Sequence, residues 1–300
     1  LGNVRPDASV ELRVHAVGAV VVRIRVPFQG VPFERFDEEV EAIRIGGLPL
    51  AEVSRQLLDR VVGELRPAFV EPYDVRVDPE RYIVHCITAG ADATELVTTR
   101  RREMAALITG EPDEVLAPNI VDSALKHTIR YYEHEVIVVG WDHAVIVARP
   151  GTYEDALDVM ELANLELLEL RTYDTYLDRK LDQSFRTLDR LWAPGGVLRS
   201  GRKVLREISA LRVDFARLTD NLHDTGKFFG EWYLAKLHSH LRDSFHLYEW
   251  EKAVDAKMDT LGDMFHLAGE EANHRRATVL EAMIVLLFIL DLYILVFGLH

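Results

Sequence analysis

The sequence predicts an α+β protein in three consecutive parts: a mixed α/β head over 1–150, a long antiparallel helical hairpin or coiled-coil arm over 151–278, and one C-terminal transmembrane helix over 279–300. Three observations carry this reading. Val-rich alternating runs separated by turn signals fill the first half. From Tyr153 to Trp192 there is no Gly or Pro, and apolar residues recur at helical spacing. From Ala282 to Leu299 the chain is an apolar run broken by a single acid, Asp291. As a helix that run spans about 27 Å at ~1.5 Å per residue, close to a ~30 Å hydrocarbon core. The competing reading of the run is a buried hairpin helix of a soluble oligomer.

In order along the chain, Leu12 to Val26 reads as a strand or strand pair with Gly18 as a bulge, and Pro27, Gly30 and Pro32 make a loop. Leu48 to Leu65 has helix spacing and ends at Pro67. Tyr73 to Val77 and Tyr82 to Thr88 read as strands around the turn Asp78, Pro79, Glu80. Glu95 to Ile108 reads as one helix closed by Gly110, and Pro112 to His127 as a helix interrupted by Pro118. Glu135 to Val139 and Ala144 to Ala148 flank Gly140, Trp141 and Asp142 as a β-hairpin. Helices packed on one face of a largely antiparallel sheet satisfy this pattern.

Tyr153 to Trp192 then reads as one amphipathic helix, broken by Pro194, Gly195 and Gly196. A second helix is expected from Arg202 to Leu222, and a third from Phe228 towards Ala277, with Gly262 and Gly269 as the places for a bend. The third would run roughly 75 Å at ~1.5 Å per residue, hence the elongated arm.

A net charge of −14 argues against a general nucleic-acid binder, because phosphate neutralisation needs clustered Lys and Arg, and no DNA partner is expected. One locally basic stretch surrounds the Gly-rich turn: Arg199, Arg202, Lys203 and Arg206. It reads either as helix-end decoration or as a contact face for anionic lipid or RNA. The single cysteine, Cys86, reads as a small core residue of a chain facing a reducing compartment.

Glu161, Glu166, Glu169, Asp174 and Asp178 crowd the first long helix. Without a Glu-x-x-His pair there, they read as a solvated or salt-bridged face. His238 and His240, at i and i+2, do not share a helical face and so do not bind one ion together. Asp142 with His143, and His85 beside Cys86, have no completing partners visible in the sequence. With no phosphate loop, nucleophile elbow, His-Glu-x-x-His or paired cysteines, no catalytic, cofactor or metal-binding residue is assigned.

Asp291 is the sharpest single residue. In mid-membrane it costs ~2.5 to 3.5 kcal/mol, which demands protonation, contact with a copy of itself, or a water-filled lumen. Arg275 and Arg276 precede the apolar run, so the large domain is expected on the cytoplasmic side, or the matrix side in a mitochondrion.

The stretch Leu218 to Asp291 carries a connected set of features. Asp220, Asn221 and Asp224 form an acidic turn, followed by the aromatic pair Phe228 and Phe229 and by Glu231 and Trp232; Leu280 and Glu281 then open an apolar run that ends on an acid, Asp291. This resembles the C-terminal signature of the "required for meiotic nuclear division" family, domain of unknown function 155. Ala282 stands where that family usually has Trp, Asp291 where it has Glu, and the first half lacks the family's aromatic-glycine strand, so the resemblance is to a divergent bacterial-type member. It implies a membrane-anchored, oligomeric protein. Mitochondrial members are attached to the inner membrane, face the matrix and support translation, and none is established as an enzyme.

Together these readings point to a non-enzymatic, homo-oligomeric, membrane-anchored scaffold or tether, linked through the resemblance to translation or membrane organisation. Its partners would be the lipid bilayer and further copies of itself. Two alternatives stand beside it: an oligomeric cation channel with a ring of Asp291 carboxylates, and an enzyme in the head domain.

Overall fold

In a computed structural model, residues 8–15, 18–28, 30–31, 35, 42–68, 78–88, 92–111, 115–192, 213 and 232–297 are described. The architecture is mixed, with sheets in the N-terminal half and helices in the C-terminal half. Two compact units divide the chain: Leu1–Glu169 with Phe229–Leu247, and Leu170–Phe228 with Tyr248–His300.

The first unit opens on an antiparallel ribbon, β1 (Ser9–Val14) and β2 (Val20–Arg25). Gly18 lies in the connection between the strands, so it turns the chain where a bulge was expected. The register aligns Ser9, Glu11 and Arg13 with Arg25, Arg23 and Val21 on one face, and Val10, Leu12 and Val14 with Ile24, Val22 and Val20 on the other. Next, β3 (Arg44–Ile45) and β4 (Leu48–Pro49) are joined by Gly46 and Gly47. Both glycines have positive φ, 59° and 84°, as a two-residue hairpin turn of matching twist requires. Helix α1 (Leu50–Leu65) follows and packs on β2. Pro67 falls in the 3-10 turn that succeeds it.

The main sheet has the order β5-β8-β7-β6, from β5 (Ile83–Ile87), β6 (Thr128–Ile129), β7 (Val136–Val139) and β8 (His143–Val147). Neighbours in β6-β7-β8 are antiparallel, and β5 runs parallel to β8. The expected hairpin is therefore present, while the strand expected at 73–77 lies outside the described residues. Between β5 and β6 run α2 (Ala93–Thr98), α3 (Arg101–Thr109) and α4 (Pro118–Ala124). The single helix expected from Glu95 to Ile108 is thus two, separated at Thr99 and Arg100. Asp92 caps α2 by accepting from the Thr94 N–H. Pro118 begins α4 instead of interrupting a helix, since a first-turn proline lacks only an N–H that would have no intrahelical partner.

All four residues of β7 are buried, so both faces of the sheet are covered. Val136, Val138, Val145 and Val147 join Met104, Ala105, Leu107 and Ile108 in one core. The contact is closest at Gly140, where a Cβ would stand 2.6 Å from Cγ2 of Ile108. Helix α5 (Glu154–Trp192) fulfils the long-helix expectation and gives its residues 154–169 to this unit. Helix α6 (Trp232–Ser244) packs on β7.

The expected third helix is broken at Phe245 and His246, ahead of α7 (Leu247–Phe297), which runs unbroken through Gly262 and Gly269. His246 takes a φ of 51°, a conformation that histidine tolerates better than most residues, and no glycine or proline announces it. The helix expected over 202–222 falls outside the described residues, Val213 excepted.

In the second unit, α5 contributes buried Leu170, Leu177 and Ser184, seven residues apart in turn, and α7 contributes Val254, Met258 and Leu261, at spacings of four and three. Lys257 joins the two helices, its Nζ 2.6 Å from carboxylate oxygens of both Asp174 and Asp178. Further along α7, the segment Ala277–Ile294 has a mean hydropathy of 2.2, and none of it is buried.

Candidate functional site

The acidic face of α5 within the first unit is organised by two sets of basic partners. Glu154 accepts a paired contact from Arg25 at 2.6 and 2.7 Å. Asp158 accepts from Arg13 at 2.8 Å and Arg23 at 2.7 Å, and Glu161 accepts from Arg23 at 2.6 Å and from His15 at 3.1 Å. The ribbon therefore lays its charged face on the helix and leaves Val10, Leu12 and Val14 exposed. The Arg25 guanidinium holds the Glu154 carboxyl below its ordinary value. Burial opposes the same effect at Asp158, but Arg23 and Arg13 prevail and lower it.

One turn on, Glu166 is fully buried. It accepts from His238 Nε2 at 2.8 Å and from Arg242 Nη1 at 3.1 Å, both from α6. The reading of this face as salt-bridged holds for Glu161, Glu166, Asp174 and Asp178 but not for Glu169, and the solvated alternative is wrong for Glu166. Glu169, one turn further, is pushed up to about 7 by burial and by the neighbouring Glu166 charge. Two carboxyls three residues apart thus differ in environment: one is held by a guanidinium and an imidazole, the other is desolvated beside the first.

A second group of polar side chains lies at the end of the main sheet. The parallel register sets His85 two residues from the position opposite His143, on one face, and their rings stack at 5.9 Å. His143 Nδ1 donates to Asp142 at 2.8 Å. Burial, followed by the neighbouring His143, drives His85 down to about 4. Tyr82 donates its hydroxyl to the carbonyls of Gly140 and His143, both at 3.2 Å, and meets Phe245 edge-on. Cys86, alongside, is pushed up to about 12 by burial and by Glu154, in keeping with a packed rather than a reactive thiol. The strand pairing therefore stacks His85 on the Asp142–His143 pair from some sixty positions away, a proximity that no local motif announces.

His238 and His240 diverge as their i, i+2 spacing requires. The first turns inward to Glu166, and the second meets His127, with 3.3 Å between their Nδ1 atoms.

Among the sequence-predicted residues, Glu281 and Asp291 are exposed on α7, ten residues apart. Trp232 opens α6, exposed, with Lys236 Nζ 5.0 Å from its ring centre. Asp220, Asn221, Asp224, Phe228, Phe229 and Glu231 lie outside the described residues, as do Arg199, Arg202, Lys203 and Arg206. The buried Glu166–His238–Arg242 cluster, the Arg-ribbon contacts and the two histidine pairs are what sequence reasoning missed. A faint signal existed for the first: Glu166 and Glu169 share one helical face, as do His238 and Arg242.

Residues 1–154 match the family described as "Uncharacterized protein MJ0711, N-terminal domain". A relative from Methanocaldococcus jannaschii, the uncharacterized protein MJ0711, is 23% identical over 245 residues, covering 82% of this chain and 73% of the relative. No solved structure matches.

Proposed function

The chain belongs to the MJ0711 N-terminal-domain family, and from that premise we propose that it is a membrane-anchored, homo-oligomeric scaffold whose α/β unit is tethered by the end of α7. One observation carries the anchor: between Val279 and Ile294, thirteen large hydrophobic residues are exposed, eight of them consecutive from Met283 to Leu290. Eight consecutive positions cover every face of a helix. A groove covers one stripe; a helix apolar on every face needs an apolar surround on all sides, which a bilayer supplies, as would the interior of an oligomer. Each such side chain gains about 1.5–3 kcal/mol on leaving water, which makes a lipid surround the favoured environment.

The spacing of Val254, Met258 and Leu261, with the seven-residue spacing on α5, supports a coiled-coil arm in the second unit. The homo-oligomer is our reading of Asp291: of protonation, a water-filled lumen and contact with its own copies, it takes the last, in which protonated carboxyls hydrogen-bond to one another around an axis. The resemblance to the "required for meiotic nuclear division" family adds a link to translation or membrane organisation. A second reading, a cation-conducting assembly, rests on the same Asp291.

The test is deletion of residues 277–300. Full-length protein is expected to stay with membranes after alkaline carbonate extraction and the truncated protein to move to the supernatant. Retention of the truncated protein on membranes would refute the anchor.

A further inference from the structure

We propose that β1 is a dimerisation edge: a second copy of the chain adds its own β1 antiparallel to it, about a two-fold axis through Leu12, and joins the two ribbons into one four-stranded sheet. This contact deepens the homo-oligomer proposed above and rests on that reading for its partner. It lies in the α/β unit and does not involve Asp291.

The ribbon is open on the β1 side. Among the described residues no strand pairs with the outer edge of β1. All of its residues except Arg13 are exposed, whereas every residue of β2 is half-buried. Helix α1 packs on β2, and α5 covers the charged face more closely there: the Arg23 side chain is 12% exposed, against 32% for Arg13 and 47% for Glu11. An exposed edge strand is a template for another chain, and folds commonly blunt such edges with Lys, Pro or a bulge. Ser9–Val14 has neither Lys nor Pro, and its register with β2 runs without a bulge.

The backbone and the side chains select the same partner. His15 N–H donates to the Ala19 carbonyl at 2.9 Å, so the odd-numbered residues of β1 turn their backbone groups to β2. Val10, Leu12 and Val14 turn theirs to the open edge. In a two-fold antiparallel pair each residue opposes one on its own face, so every register is centred on a single residue. Centring on Glu11 sets Glu11 against its copy, and centring on Arg13 sets Arg13 against its copy; like charges directly opposite destabilise a pair. Centring on Leu12 sets Glu11 against the partner's Arg13, Val10 against the partner's Val14, and Leu12 against itself. One register therefore matches apolar residues on one face, opposite charges on the other, and backbone donors to acceptors between. Such self-complementarity is what a two-fold interface between identical chains requires.

The experiment is mild oxidation of full-length Leu12→Cys and Val10→Cys in detergent, with the parent, whose one cysteine is Cys86, as background. In the proposed register the two Leu12 Cα atoms lie about 5.5 Å apart, within disulfide reach. The two Val10 Cα atoms lie about 14 Å apart, four residues out of step at ~3.4 Å each. Leu12→Cys is expected to give about tenfold more disulfide-linked dimer than Val10→Cys or the parent. Adding Glu11→Arg should lower that yield by setting like charges opposite, and adding Val14→Pro should lower it by removing an N–H that points away from β2. Thermal unfolding that matches the parent shows the ribbon intact; if Val14→Pro unfolds early, Glu11→Arg decides. The cross-link should persist in Asp291→Asn. Equal yields from Leu12→Cys and Val10→Cys, or a yield unmoved by Glu11→Arg, would overturn the edge contact. Sedimentation of the parent then separates the two readings: an oligomeric parent leaves the homo-oligomer standing without this contact, and a monomeric one overturns both.

Discussion

Residues 154–169 of α5 and residues 277–294 of α7 are both helical, yet their polarities are inverted. The first stretch turns charge inward: Glu166 is fully buried against a guanidinium and an imidazole, and Glu161 lies under Arg23. The second turns hydrocarbon outward on every side. Donors replace the water lost by the Glu166 carboxylate, whereas the exposed apolar cylinder is the surface on which the proposed anchor rests. The two segments thus differ in what they expose, not in their helicity.

The sharpest break of this contrast is Glu166→Ala. It leaves Arg242 and His238 facing a buried site without their carboxylate, and such removal of one partner costs about 3–5 kcal/mol. Thermal unfolding of the full-length chain in detergent should register that loss, and a change below about 1 kcal/mol would show the buried charge to be incidental.

Glu169 sharpens the same comparison through pH. Its folded value of about 7 lies above the ordinary carboxyl value, so the folded state binds the extra proton. The associated stability is fully present below about pH 4.5 and is lost as pH rises toward about 7, a difference on the order of 3 kcal/mol. His85 works in the opposite sense: its folded value near 4 means stability is gained as pH rises from there toward the ordinary histidine range. The two slopes oppose each other over most of that window. Glu169→Gln should remove only the falling part, so that stability measured from pH 5 to 8 rises more steeply in the variant than in the parent. Parallel profiles would show that Glu169 does not titrate in that range.

How far these features could be read from the sequence depends on the range of the interaction that makes them. The end of α1, the hairpin at 136–147, the unbroken α5 and the apolar run follow from local spacing and turn chemistry, whereas the start of α1 does not, since Leu48 and Pro49 pair as β4 where helix was expected. Pro118 was legible as a boundary but not as a beginning, because a proline that breaks a helix and one that starts it look alike without the preceding backbone. The stop at Phe245 and His246 had no signal, since no glycine or proline marks it and histidine, though more tolerant of positive φ than most residues, is not a helix terminator by itself. The polar clusters escaped for another reason. Glu166 meets His238 across 72 positions, and His85 meets His143 through a parallel strand pair, so no motif records either contact, and spacing records only that Glu166 with Glu169, and His238 with Arg242, share helical faces. Asp291 and Glu281, by contrast, stood out because an acid beside or within an apolar run is a local anomaly.

The smallest expected effect tests whether burial, rather than ion pairing as such, gives α5 its charged interior. Arg25 and Glu154 form a well-aligned double contact, yet their side chains are 40% and 43% exposed, against 12% and 8% for Arg23 and Glu161. Water and salt screen the outer pair, so Arg25→Ala should cost only about 0.2–1 kcal/mol and lose that effect in high salt. Arg23→Ala should cost more and respond less to salt, because Glu161 would keep its burial and lose its main donor. A double-mutant cycle on each pair measures the two couplings. Equal couplings would mean that the ribbon clamps the helix by charge count alone, and unequal ones that the ordering from Glu154 inward to Glu166 follows the exclusion of water.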